Sequence, residues 1–295
     1  MKVVARVARR IRLLTSLPTI RAAMRDRFQH EQIVFLASSP RSGSTWLSNI
    51  LSEGLDYTTL FEPLHLDQVS AARDAGFDWR TYRSELDDWE SGRTFLESVM
   101  RGNVINSWTA REITTESAET CRGMVIKCVR ATRLLPWLSH KFPNIKIIYL
   151  TREPAAVIAS QLQSRDWQRA KRPSAPEFLC HSKRARDLIA QLTETTEFLA
   201  AQWAFDQWIA QRTPSPPWLS VSYEDLRSEP LKQIDRINHF LNRPFDLAKA
   251  AQKIEVMSRT TTKQSASATD SWKAELSVRQ QTQIRRIVAA VTAID

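Results

Sequence analysis

Between Ser38 and Leu47 the chain reads SSPRSGSTWL, a run of small and hydroxylic side chains carrying one cation, Arg41. The run follows an apolar, β-branched stretch, Ile33–Ser38, and leads into Trp46, Leu47, Ile50 and Leu51 at helical spacing. A strand–turn–helix of this kind offers an anion the unpaired N–H groups and the positive end of a helix. The loop that cradles nucleoside triphosphates has the form G-x-x-x-x-G-K-[ST], with its Lys on the β- and γ-phosphates. Aligned on Gly43 and Thr45, this chain has Ser38 at the first Gly and Ser44 at the Lys. The cation stands earlier, at Arg41. That suits a shorter anion chain and counts against an ATP-dependent kinase.

The elements that must hold this loop are readable from periodicity. Apolar runs at Met124–Val129, Ile145–Thr151 and Trp218–Ser222 join Ile33–Ser38 as four expected buried strands. Helical patterns cover Ser44–Gly54, Glu153–Leu162, Leu188–Ala210, Leu231–Leu241 and Val278–Val291. Pro154 falls in the first turn of its helix, where a missing N–H costs nothing. Strands alternating with helices predict an α/β fold: a P-loop-type doubly wound parallel sheet with helices on both faces. Residues 67–121 are polar and weakly periodic, which predicts an irregular or helical insertion. Residues 1–30 read as a basic, helical N-terminal extension of the domain at 31–295.

Composition bounds the partners. The 295 residues are 42% hydrophobic, enough for a sizeable core, and carry 42 basic against 32 acidic groups, a formal charge of +10. Such a balance fits a polyanionic cofactor, an acidic substrate, nucleic acid or an anionic membrane surface, and does not choose among them. Cys121, Cys128 and Cys180 form no Cys-x-x-Cys pair, and the odd number favours a reducing compartment. No His/Cys cluster has metal-ligand spacing. The first 17 residues mix Arg6, Arg9, Arg10 and Arg12 with apolar side chains, too interrupted for a secretory signal. They read as an amphipathic helix lying on the protein's own body or making peripheral contact with a membrane.

The segment PRSGSTWL after a strand resembles the 5′-phosphosulfate loop of sulfotransferases that use 3′-phosphoadenosine 5′-phosphosulfate (PAPS). The resemblance implies that Arg41 meets the phosphosulfate and that Ser42, Gly43, Ser44 and Thr45 hold the 5′-phosphate. It puts Trp46 where family members stack a ring on the adenine, although the first helix also needs core residues there. A second match is IIYLTREPAAVIASQLQ, with Arg152 at a strand end and Ser160 eight residues on. In the family this pair holds the 3′-phosphate, and a guanidinium and a hydroxyl at one strand–helix junction can share a phosphate. VSYEDL is the third, which implies Tyr223 near the adenine, or else in ordinary packing. More loosely, SWKAEL resembles the family's C-terminal Trp-Lys segment, with Thr260–Thr269 as a cover and Lys263 at the 3′-phosphate.

Sulfuryl transfer needs a base for the acceptor hydroxyl and cations for the transferring group. The aryl and steroid branch uses a His two residues after a Lys; here Lys127 is present and Val129 replaces the His. The carbohydrate branch is similar at LFEPLH, which implies Glu62 as base, with His65 as the alternative, or else a structural Glu62 that caps or pairs with Arg41. Nearby cations weaken a carboxylate as a base, burial opposes them, and a histidine titrates nearer neutrality. Lys127 is implied as the partner of the sulfonate, or else is an ordinary strand-end lysine. This branch implies a hydroxylated small-molecule or glycan acceptor, with Trp79, Trp89 and Trp108 in the insertion as stacking surfaces or core. Animal members carry an N-terminal membrane anchor; the expectation for this sequence is a soluble, cytoplasmic enzyme that uses PAPS and no metal. The rivals are a kinase-like phosphotransferase and a basic nucleic-acid-binding module, and the paired phosphate motifs disfavour nucleic acid.

Overall fold

The computed structural model describes residues 2–164, 167–262 and 272–294. Five strands lie side by side, all parallel, in the order β2-β3-β1-β4-β5. They are β1 Ile33–Ser38, β2 Thr58–Phe61, β3 Met124–Cys128, β4 Lys146–Thr151 and β5 Leu219–Ser222. Alternate side chains of the sheet feed two separate cores. Phe35, Ile126 and Ile147 face one, Val34, Leu36, Val125, Ile148 and Leu150 the other. Helices close both faces, which is why the central strands read as unbroken apolar runs.

Helix α1, Lys2–Met24, and the chain just after it pack on the first face, where Ile20, Met24 and Phe28 are buried beside Phe35. Helix α2, Ser44–Leu55, covers the second face through Leu47, Ile50 and Leu51. The helices Pro154–Leu162, Thr195–Arg212 and Val278–Thr292 form a third cluster around Val157, Phe205 and Ile287. Among the described residues no helix is long and apolar enough to cross a membrane.

Two expectations change in detail. The fifth strand, β2, is a four-residue edge strand that begins Thr-Thr, too short and polar for periodicity to reveal. The single helix expected at Leu188–Ala210 is two, Lys183–Gln191 and Thr195–Arg212. The break is held by the Glu197 carboxylate, which accepts from the N–H groups of Thr193 and Glu194 and so caps the second helix. The insertion at 67–121 holds short helices at Ser70–Asp74, Glu90–Met100 and Thr115–Thr120. It buries Leu96, Val99 and Met100 in the first core.

The sheet winds outward from β1 in two directions, through β3 to β2 and through β4 to β5. Ligands of such sheets sit where the winding changes, beyond the carboxyl ends of the strands. Ser38, Phe61, Cys128, Thr151 and Ser222 mark that edge.

One buried ion cluster ties the insertion to the helical layer. Asp206, 2% exposed, accepts from Arg80 of the insertion, from Arg133 at 2.8 Å and from Gln202 at 3.2 Å. Asp206→Ala leaves two guanidinium groups without their carboxylate. We expect a loss of about 3–5 kcal/mol, the scale for breaking a buried pair from one side. Urea unfolding of the two proteins measures it; a change below about 1 kcal/mol would show that the cluster is solvated.

Candidate active site

Gly43 caps α2 with φ 90° in the left-handed region, and Arg41 has φ 73°. Only glycine occupies the first of these without strain. Space demands it as well, because a Cβ at Gly43 would lie 2.6 Å from two ring carbons of Tyr223. The turn leaves the first N–H groups of α2 without intrahelical carbonyls, directed at the loop's hollow. The Ser42 hydroxyl is buried there with no partner in the protein. A buried, orphaned donor beside helix N–H groups is what an anion-binding loop requires.

Strand β4 brings the second cation to the same place. Arg152 donates to the Arg41 carbonyl at 2.9 Å, and Arg41 Nε donates to Ser160 Oγ at 2.9 Å. The two motifs, more than a hundred residues apart in sequence, are thus joined by two hydrogen bonds. Arg152 also lies 4.4 Å over the Tyr223 ring, and its buried Nε has no partner. Trp46 is half-buried and meets Tyr223 edge-on at 5.7 Å. Arg152 and Ser160 line a small cavity of about 110 Å³ closed by Trp272 and Glu275 of the C-terminal segment. Lys263 and most of Thr260–Thr269 lie outside the described residues.

The third component is Glu62, 3% exposed and held at φ 45° after the end of β2. Its N–H extends the ladder to the Lys127 carbonyl at 2.8 Å. The carboxylate accepts from Lys127 Nζ at 2.6 Å, Arg130 at 2.9 Å and the Val129 N–H at 3.1 Å. Lys127 is therefore a buried site lysine, also 4.4 Å over the Phe61 ring. His65 sits three residues on, with edge contacts to Trp79 and Trp108 at 5.1 and 4.7 Å and a buried Nδ1 without a partner. Burial, then the charge of Arg130, pulls its pKa below the usual histidine value, so the ring is neutral at pH 7.

These groups surround one cavity of about 890 Å³, lined by Arg41, Gly43–Thr45, Glu62, His65, Lys127, Arg130, Arg152 and Ser160. Trp79, Trp108 and Trp167 add aromatic walls. Trp89, the other expected stacking surface, instead packs against Phe77 and Trp137 at 4.4 and 5.3 Å and belongs to the core. A cavity of about 600 Å³ beside β2 contains none of the loop, and two of its three carboxylates, Glu53 and Asp56, pair with Lys253 and Lys249.

The model of the sulfotransferase family matches residues 33–247, which span the sheet and the main cavity's Arg41, Lys127, Arg130 and Arg152. The chain belongs to that family. Human carbohydrate sulfotransferase 1 is 24% identical over 273 residues, covering 72% of this chain and 64% of the human protein. Human carbohydrate sulfotransferase 6 is 28% identical over 172 residues, 44% of each chain. The chain thus spans less than two thirds of the length of the curated relatives it matches. Among solved structures, the sulfotransferase domain from the curacin biosynthetic pathway superposes with a TM-score of 0.50 at 19% identity. That match covers 90% of this chain and 98% of the other, and supports the shared fold.

Asp67, Arg130 and Trp167 also line the cavity, and no sequence motif marks them. Arg130 stands three after Lys127, beyond the end of β3. Trp167 follows a helix end, where no periodicity marks it. The loop geometry yields a direct test. Gly43→Ala sets a methyl into the Tyr223 ring at a left-handed φ, so we expect a destabilisation of about 1–3 kcal/mol. Thermal unfolding measures it, and an unchanged melting temperature would mean that Tyr223 moves aside freely.

Proposed function

We propose that this sulfotransferase moves the sulfuryl group of PAPS to a hydroxyl of a carbohydrate or glycolipid acceptor. The observation that carries the reading is the junction of Arg152, Arg41 and Ser160. It sets one guanidinium at the 5′ loop and another at the strand end, as a nucleotide phosphorylated at both ends demands. The residues present suit that molecule: the orphaned Ser42 hydroxyl and the α2 N–H groups for the 5′ end, Arg152 and Ser160 for the 3′-phosphate. Trp46 and Tyr223 border the loop as the adenine's surface. An ATP reading lacks the lysine that the γ-phosphate needs, since Ser44 occupies its position.

In the reaction, the acceptor oxygen forms a bond to sulfur while the bond from sulfur to the phosphate oxygen breaks. The acceptor proton leaves to a base, and the products are a sulfate ester and adenosine 3′,5′-bisphosphate. Glu62 is the proposed base. A carboxylate has about four lone-pair positions, and three here already accept hydrogen bonds. Lys127 is the cation that a sulfonate in the cavity would attract, and its departure from Oε1 frees a lone pair for the acceptor proton. Lys127 thus neutralises Glu62 in the free protein and the sulfonate during transfer. A second reading gives the proton to His65, favoured by its neutral ring and unpartnered Nδ1.

Two measurements test this. Adenosine 3′,5′-bisphosphate should raise the melting temperature without Mg²⁺, and ATP should do so much less. Arg152→Ala should weaken bisphosphate binding by about 2–3 kcal/mol, as loss of a charge-assisted contact does. Equal stabilisation by ATP and ADP would point instead to a phosphotransferase.

Glu62→Gln should retain bisphosphate binding and lose turnover by about 10²–10⁴-fold, the usual worth of a general base. Transfer of labelled sulfate from PAPS to glycans, glycolipids, phenols and sterols provides the assay. If Glu62→Gln keeps wild-type turnover and His65→Ala loses it, His65 is the base. Its lowered pKa then requires activity to persist below pH 6.5 before falling as the ring protonates.

A further inference from the structure

The charges along the β3 side of the cavity do not balance. Glu62 pairs with both Lys127 and Arg130, and Asp206 pairs with both Arg80 and Arg133. Two carboxylates therefore serve four cations. Lys127, Arg133, Glu62 and Asp206 are buried, and the side chains of Arg130 and Arg80 are only 17% and 20% exposed. Burial pulls the Arg80 pKa down, Asp206 pushes it back up, and the charges of Arg133 and Arg130 pull it down again. Excess positive charge at low exposure is costly unless a ligand answers it.

The phosphosulfate and 3′-phosphate groups have their own partners in Arg41, Arg152 and Lys127. What is left over lies elsewhere. Arg130 and Arg80 share a side cavity of about 190 Å³ with Pro40, Trp79, Val129 and Trp167. Five of these six also line the main cavity, so the two spaces are continuous, and Arg80 is what the side cavity adds. No carboxylate lines it among the described residues. Each of the two guanidinium groups reaches its carboxylate through one terminal nitrogen, leaving the rest of the fork for a ligand. Arg130 lies 5.0 Å over the Trp79 ring. Trp79 is 44% exposed and Trp167 half-buried, so both offer apolar faces at the cavity wall.

We propose that this side cavity is an anion subsite for the acceptor. It takes a carboxylate or sulfate ester carried near the hydroxyl to be sulfated, between Arg130 and Arg80, with the acceptor ring against Trp79 and Trp167. The inference rests on the sulfotransferase reading and narrows its substrate to acidic acceptors.

The test compares methyl β-glucuronide, methyl β-glucoside 6-sulfate and methyl β-glucoside, which differ at one carbon. Each is titrated by saturation-transfer NMR into the full chain, free and loaded with adenosine 3′,5′-bisphosphate. At least one anionic glycoside should bind tenfold or more tightly than the neutral one in both states, and the tighter of the two identifies the anion. The advantage should shrink with added salt and fall below threefold in Arg80→Met, where Asp206 keeps Arg133 and Gln202 as partners. If Arg80→Met does not fold, the wild-type comparison decides alone. Equal binding of the three glycosides, or displacement of the anionic ones by the bisphosphate, would overturn the subsite. Failure of the bisphosphate to bind is a separate result: it removes the cofactor assignment, while the glycoside comparison on the free protein still stands.

Discussion

The Glu62 carboxylate fixes side chains that the sheet only brings alongside one another. It follows edge strand β2, yet it accepts from Lys127 of β3 and from Arg130 and Val129 beyond that strand's end. The register pairs Phe61 with Lys127, and the Glu62 N–H continues the ladder onto the Lys127 carbonyl. At φ 45° the backbone leaves the extended path at Glu62. Strain of this kind costs on the order of 1–3 kcal/mol and persists where surrounding contacts over-determine it. Three hydrogen bonds to one buried carboxylate supply that constraint. Without them Lys127 and Arg130 would be two neighbouring cations at low exposure with no carboxylate between them.

Much of the fold was legible in the sequence because the central strands are buried on both sides. β1, β3 and β4 are apolar nearly throughout, and parallel strands covered on both faces leave that signature. β2 escaped because it is an edge strand of four residues, two of them threonine, whose burial comes from the insertion and α2 rather than from its own composition. The split in the expected Leu188–Ala210 helix escaped for a different reason. Glu197 caps the second helix from inside its first turn, and the apolar spacing runs on across the break without registering it.

The proposed cofactor side of the site was more legible than the proposed acceptor side, and the difference is physical. Binding a phosphate at a helix N-terminus needs a local sequence: a glycine at a left-handed φ, small neighbours and a hydroxyl. All of these fall within the Pro40–Trp46 run. The acceptor side is assembled from residues far apart, so composition marks candidates without placing them. Trp79, Trp89 and Trp108 are equivalent as letters. Only the fold separates Trp79 and Trp108, at the cavity, from Trp89, which fills the core against Phe77 and Trp137. Arg130 and Trp167 carry no motif at all.

The loop differs from a triphosphate-cradling loop in the placement of a single cation. A lysine at the start of the helix would reach along a triphosphate; Ser44 there removes that reach. Arg41 stands three residues earlier, where the left-handed turn brings its guanidinium to Ser160 and its carbonyl to Arg152. Its positive charge is thereby held between the 5′ loop and the strand end instead of along the helix axis. A guanidinium suits this position better than an ammonium, because its planar fork can bond a hydroxyl through Nε and still present its terminal nitrogens to an oxyanion. The carbonyl contact acts in the other direction, since it fixes Arg152 by the same turn that shapes the loop. Distorting that turn therefore disturbs both ends of the proposed nucleotide site at once, which ties the two motifs energetically although they lie more than a hundred residues apart.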